Sequence, residues 1–125
     1  DILNMSIDEC LTTFANHPVL FHRLKAMSRV GIGYLKLGQS TSSLSGGENR
    51  RIQIAQVLEQ CYKVNSDLPK TILIIDDPTA ALHITDAICI QQCLLELRKQ
   101  QVTIMIASQN EQMLELADNI ITIQK

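Results

Sequence analysis

Two short runs of residues are equipped for phosphate chemistry. The apolar stretch Ile72-Leu73-Ile74-Ile75 is followed at once by Asp76, Asp77 and Pro78. Four apolar residues ending in adjacent acids put those acids at the carboxyl end of a buried strand, where open α/β sheets bind ligands. In a nucleotide hydrolase the first acid holds Mg²⁺ and the second orients a water toward the γ-phosphate. Alone, the pattern equally describes acids that end a strand and begin a turn. The second run, Leu44-Ser45-Gly46-Gly47-Glu48, is more specific. Glycines at a helix start leave backbone N–H groups uncovered, and with the positive end of the helix dipole they form an anion site. Ser45 can cap that helix or donate to a phosphate oxygen; an ordinary capping box would use the same residues. The two runs lie about thirty residues apart, a combination that chance does not readily produce.

Those runs need elements to hold them. Ser6-Ile7-Asp8-Glu9 is an S-x-x-E capping box that predicts a helix to about Asn16, and Pro18 opens a second helix toward Arg29. Val30 to Ser43 reads as turns with one short helical piece. Ser45 to Glu48 opens a helix whose apolar stripe is Ile52, Ala55, Val57, Leu58 and Cys61. Thr71 to Ile75 is a β-branched run expected to be buried on both faces. A helix from about Ile84 to Lys99, a strand Val102 to Ala107, a short helix Glu111 to Ala117 and a last strand Asn119 to Ile123 complete the pattern. This is βαβαβ, with parallel strands and right-handed crossovers expected. Val64 to Pro69 reads as the connecting loop. The chain thus divides into a helical part, 1–63, and an α/β lobe, 64–125, of one partial domain.

Composition excludes several classes. The 125 residues suit one domain or a large piece of one, and 46% are apolar, enough for a core. A net charge of −2 suggests no electrostatic sleeve for DNA or an anionic membrane. No apolar run approaches the roughly 20 residues of a membrane helix, and Asp1-Ile2-Leu3-Asn4 does not begin a secretory signal. The first residue is not Met, so a piece of a longer chain is expected. Cys10, Cys61, Cys89 and Cys93 form no C-x-x-C pair, and His17, His22 and His83 are scattered. Reduced thiols in a cytoplasmic protein, without zinc, are expected. Arg23, Lys25, Arg29, Lys36, Arg50 and Arg51 read as a solvated face, because stacking aromatics are nearly absent.

With these residues in place, the sequence resembles the ABC ATPase superfamily and, within it, the UvrA family of excinuclease subunits. Gly31-Ile32-Gly33-Tyr34-Leu35-Lys36-Leu37-Gly38-Gln39, leading into Leu44 to Glu48, is similar to that family's G-x-G-Y-x-x-L-G-Q…L-S-G-G-E. Transporter ATPases usually carry Gln where Glu48 stands. Pro78-Thr79-Ala80-Ala81-Leu82-His83, then Asp86, resembles P-T-x-G-L-H-x-x-D. The opening residues resemble the stretch before the second signature of that family. The resemblance implies a partial P-loop NTPase fold whose Walker A half is missing, since no G-x-x-x-x-G-K-[ST] occurs. It implies ATP and Mg²⁺ as cofactors of the full-length protein. Asp76 would hold Mg²⁺. Ser45, Gly46, Gly47 and Glu48 would meet nucleotide held by a second ABC domain. Ala80, Ala81, Leu82 and His83 would form the D-loop along that contact. Damaged DNA and a UvrB-like subunit are the implied partners, with no membrane.

Several positions depart from the family. Asp77 stands for a glutamate, so its carboxylate falls about 1.5 Å short, and Gln109 stands where the switch histidine belongs. Arg50 replaces a glutamine, and Ala107-Ser108-Gln109-Asn110 stands for I-E-H-N. The end of the chain, Thr122 to Lys125, lacks the family's D-L-G-P. Asp77 and Gln109 are therefore the catalytic candidates and also the reason to expect slow hydrolysis. The functions weighed are a DNA-damage recognition ATPase of nucleotide excision repair, a self-resistance paralogue, and a transporter ATPase. The lead-in, Glu48 and His83 favour the first over the transporter.

Overall fold

Local capping sets the helices. The computed structural model describes residues 1–61 and 71–124; the expected loop at 64–69 lies outside them. Helix α1 spans Ile7–Thr13, and its capping box forms: Glu9 N–H donates to Ser6 Oγ at 3.2 Å while the Glu9 carboxylate accepts the Ser6 N–H at 2.7 Å. It ends at Phe14, before the expected Asn16. Helix α2, Pro18–Met27, begins on its proline and runs into a wide turn, Ser28–Ile32, in which Gly31 adopts φ 80°. An L side chain is costly there, which accounts for the first glycine of the lead-in.

The second glycine has a different cause. Residues 3–8 lie antiparallel beside 33–38, with Ile7 N–H on Leu35 O at 2.9 Å and Asp8 N–H on Gly33 O at 3.0 Å. This brings the Asp8 carboxyl onto Gly33 so closely that a Cβ there would lie 2.1 Å from Oδ1. Only glycine fits. Helix α3, Gly46–Cys61, follows and packs on α2.

Strand β1, Ile72–Asp76, helix α4, Ile84–Lys99, strand β2, Thr103–Ala107, and helix α5, Glu111–Glu115, make up the second half. The strands pair in parallel, from Ile72 opposite Thr103 to Asp76 opposite Ala107. One core runs through both halves. Ile54 and Leu58 of α3, Ile90, Cys93 and Leu97 of α4, Val30 and Ile32 of the turn, and Leu73 and Ile75 of β1 are buried in it.

Three expectations are corrected. Strand β1 is buried on one face only: Leu73 and Ile75 point into the core, whereas Ile72 and Ile74 are 64% and 70% exposed. Met105 of β2 is exposed as well, so the outer face of the pair is apolar and open among the described residues. The last strand does not form. Among the described residues, 119–123 pair with no strand, and Ile121 and Ile123 are 88% and 90% exposed; a strand exists only against a neighbour. Nor are the arginines a uniformly solvated face. Arg51 is 5% exposed, Arg23 pairs with Glu59 at 3.3 Å, and Arg29 pairs with Glu96 at 2.5 Å. No helix among the described residues is long and apolar enough to cross a membrane.

Candidate functional site

The residues singled out by sequence fall into two groups. The first is the loop that opens α3. Ser45 N–H donates to Glu48 Oε2 at 2.8 Å and Glu48 N–H donates to Ser45 Oγ at 3.1 Å, a reciprocal cap. That pairing satisfies two donors at the helix start and leaves those of Gly46 and Gly47 outside it. Gly46 is exposed, and a Cβ added to it would meet nothing within 4 Å. Gly47 is half-buried, and neither glycine belongs to the core. Such a helix start can bind an anion.

Two residues hold this loop from behind. Tyr34 Oη donates to Glu48 Oε1 at 2.6 Å. Arg51 Nη1 donates to Gly31 O at 3.0 Å and its Nε to Gly47 O at 3.4 Å. The Tyr34 bond, then the Ser45 N–H, hold the Glu48 carboxyl below the usual carboxylate range. The same bond pushes the Tyr34 phenol up, because losing its proton would place two negative charges side by side. Tyr34 stands in the quoted lead-in, but spacing gives it no role; Arg51 is indistinguishable in sequence from Arg50.

The second group lies at the carboxyl end of the parallel pair. Asp76 is exposed beside Ala107, and Asp77 N–H continues the ladder by donating to Ala107 O at 2.8 Å. Asp77 adopts φ 43°, a left-handed conformation that aspartate tolerates better than most residues. Its Oδ1 accepts from Ser108 Oγ at 3.2 Å, and Ser108 Oγ in turn accepts the Asn110 N–H at 3.1 Å. Gln109, between them, is exposed. Ser108 thus joins a site that sequence assigned to Asp77 and Gln109 alone.

The segment after the acids turns into α4. Ala80 N–H closes a turn on Asp77 O at 3.1 Å, and Ala81 is left-handed at φ 58°. Ala81 stands where the family pattern has glycine, and the backbone keeps the conformation that glycine suits. Leu82 is half-buried and packs on the core; His83 is exposed and occupies the N-cap of α4 without a side-chain cap bond. At the other end of that first turn, Asp86 reaches Gly31: its Oδ1 would lie 3.4 Å from a Cβ there. The Gly31 turn therefore touches both α3, through Arg51, and α4, through Asp86. Among the described residues no hydrogen bond or ion pair joins Ser45–Glu48 directly to Asp76, Asp77 or Gln109.

Among the described residues no group of three or more His, Cys, Asp or Glu side chains could hold a metal ion unaided. Mg²⁺ asks for less: one or two carboxylates completed by phosphate oxygens and water. Asp76, exposed at a strand end, suits that share of the coordination.

A parallel β–α–β unit with acids at its carboxyl edge, packed on a helix opened by Leu-Ser-Gly-Gly-Glu, defines the class as α/β. Within it the kinship is specific: the chain is homologous over nearly its whole length to a segment of UvrA. It is 35% identical over 121 residues to the UvrABC system protein A of Aquifex aeolicus and 37% identical to that of Helicobacter pylori, in each case over 97% of this chain. It is similar in structure to UvrA2 from Deinococcus radiodurans, with TM-score 0.82 at 32% identity over 94% of this chain. No family model matches it. The chain spans only 12% of those curated relatives and 14% of the UvrA2 chain.

Proposed function

We propose that this chain is the carboxyl-terminal part of the second ATP-binding domain of a UvrA-like ABC ATPase that recognises damaged DNA in nucleotide excision repair. The observation that carries the reading is the open, reciprocally capped start of α3. Ser45, Gly46 and Gly47 meet the γ-phosphate of ATP held by a facing ABC domain, with Glu48 fixing the loop. Asp76 supplies a carboxylate to Mg²⁺, which when bound neutralises phosphate charge. Asp77 and Gln109 face the attacking water and the γ-phosphate, and Ala80 to His83 run along the domain contact. Residues 1–63 form the helical signature part and 64–125 the acid-bearing lobe. The Walker A loop belongs to sequence outside this segment. The open apolar face of β1 and β2 agrees with this, because a parallel sheet is covered on both faces in its complete form. The protein works in the cytoplasm with a UvrB-like subunit and damaged DNA.

Hydrolysis in this protein is slow, and nucleotide serves mainly as a switch. A carboxylate about 1.5 Å short can lower a rate on the order of a hundredfold, and Gln109 cannot take a proton as histidine can. Steady-state ATPase of the full-length protein tests this. Asp77→Glu together with Gln109→His is expected to raise kcat by about a hundredfold. A wild-type rate equal to that of the double variant would remove the reading. A self-resistance paralogue is the second reading, favoured by the same two departures. Rescue of a UvrA-deficient host from ultraviolet damage separates them: survival restored supports repair, and survival unchanged supports the paralogue.

A further inference from the structure

Glu48 places a carboxylate one residue beyond Gly47, at the helix start proposed above to meet the γ-phosphate. Unrestrained, that charge would oppose a phosphate entering the loop. In the structure it is not unrestrained. One oxygen, Oε2, caps the Ser45 N–H at 2.8 Å, and the other, Oε1, accepts the Tyr34 hydroxyl at 2.6 Å. Each oxygen thus has a donor, and the carboxylate is turned toward the lead-in segment. Tyr34 can hold it because its own backbone is fixed. The neighbouring Gly33 O accepts the Asp8 N–H, Leu35 is buried, and Leu35 O accepts the Ile7 N–H. The hydroxyl is presented from a residue that is 58% exposed, and the Arg51 guanidinium lies beside it along with the Glu48 carboxylate. A tyrosine whose ring contributes so modestly to the core is placed for its hydroxyl.

We propose that Tyr34 is a positioning residue for the signature loop: its hydroxyl holds the Glu48 carboxylate off the phosphate path, so that the loop accepts ATP. This deepens the function proposed above and rests on it. Tyr34 does not touch nucleotide; it acts through Glu48. Two consequences set it apart from a residue that merely supports the fold. Its loss should weaken binding of ATP and spare ADP, because only ATP carries the γ-phosphate that the loop meets. The loss should also depend on the charge at position 48.

The test is a double-mutant cycle on the full-length protein, with Mg-ATP and Mg-ADP affinities measured by titration calorimetry. Tyr34→Phe is expected to weaken Mg-ATP about fivefold, the order of one partly exposed hydrogen bond to a charged group, and to leave Mg-ADP unchanged. In a Glu48→Gln background the same substitution should change Mg-ATP affinity by less than about twofold. Equal losses for ATP and ADP, or an undiminished loss with Gln at 48, would overturn the proposal. A Gly46→Arg variant separates the two layers. If it abolishes the preference for ATP while Tyr34→Phe does nothing, the loop reading stands and the Tyr34 proposal falls. If Gly46→Arg leaves ATP affinity intact, the loop meets no nucleotide and both fall.

Discussion

Ser108 Oγ donates to Asp77 Oδ1 at 3.2 Å, tying the acid that follows β1 to the loop that leaves β2. The same hydroxyl oxygen accepts the Asn110 N–H, and Asn110 Oδ1 caps α5 through the N–H groups of Gln112 and Met113. The acid, the loop and the start of α5 therefore share one hydroxyl. Ser108→Ala is expected to lower stability by about 1 kcal/mol, the net worth of a partly buried hydrogen bond to a charged group. Asp77→Asn combined with it should lose less than the two single losses added, with a coupling of about 0.5–1 kcal/mol. Urea unfolding midpoints of the four proteins measure that coupling, and strict additivity would mean the two side chains do not interact.

Arg50 and Arg51 are adjacent and chemically identical, yet they carry opposite expectations. Arg51 is 5% exposed, and its guanidinium bridges Gly31 O, outside α3, and Gly47 O in the first turn of α3. Arg51→Ala leaves Gly31 O short of a donor and opens a gap in the packing, a loss of about 2–4 kcal/mol. Arg50→Ala is expected to fall within about 0.5 kcal/mol of wild type. Thermal unfolding of the two variants side by side gives the contrast. Equal midpoints would remove Arg51 from the architecture of the loop.

How far the sequence disclosed these arrangements depends on the range of the interaction. The capping boxes at Ser6 and Ser45 and the bounds of α4 were legible because each is fixed within a few residues. Strand β1 was legible as a strand, since a β-branched run fits the pleat, but not in its burial, which depends on what packs against it. The failed strand at 119–123 is the same lesson: Asn119-Ile120-Ile121-Thr122-Ile123 has the composition of a strand but pairs with none among the described residues. The partners of Ser108 and Arg51 are 31 and 20 positions away. Nothing in Ala-Ser-Gln-Asn or Asn-Arg-Arg names them. The lead-in glycines were legible as a pattern, while their causes, a left-handed turn at Gly31 and the Asp8 carboxyl against Gly33, required the fold.

Acid should loosen the start of α3. The Tyr34 hydroxyl and the Ser45 N–H stabilise the charged form of Glu48, so its folded pKa lies below the ordinary 4.5. A depressed carboxyl pKa contributes stability that is present above the ordinary value and is lost as pH falls through the lower folded value. Glu9 behaves alike, held down first by the Ser6 N–H and then by the Ser6 hydroxyl. Unfolding midpoints should therefore drop from about pH 4.5 downward, and Glu48→Gln should flatten part of that drop. An unchanged pH profile in that variant would show that the Glu48 charge contributes nothing to stability.

The thiols should separate by burial rather than by position. Cys93 and Cys89 lie four apart on α4, yet Cys93 is buried with its thiol on Arg29 O at 3.5 Å, while Cys89 is half-buried. Burial pushes the Cys93 thiol up to about 11 and raises Cys10 as well. The thiolate is the reacting form, so Cys93 keeps roughly one part in a thousand of it at pH 8. Iodoacetamide at that pH should label Cys89 first and reach Cys10 and Cys93 only on unfolding, as read by peptide mass spectrometry. Early modification of Cys93 would mean that α4 lifts from the turn at 28–32.

Ala81 offers a gain rather than a loss. Its φ of 58° costs an L residue about 1–2 kcal/mol, and its side chain is exposed, so a methyl group removed there gives up little packing. Glycine adopts the same conformation without strain but adds about 0.5–1 kcal/mol of unfolded-state entropy to be lost on folding. The strain term is the larger, so Ala81→Gly is expected to stabilise by about 0.5–1 kcal/mol and to raise the unfolding midpoint by roughly 2–6 °C. The control is Ala80→Gly, the neighbour whose φ is not positive, where only the entropic loss applies and the midpoint should fall. If both variants fell together, the left-handed turn at 81 would not survive in solution. The segment from Asp77 to His83 would then leave α4 by a different path.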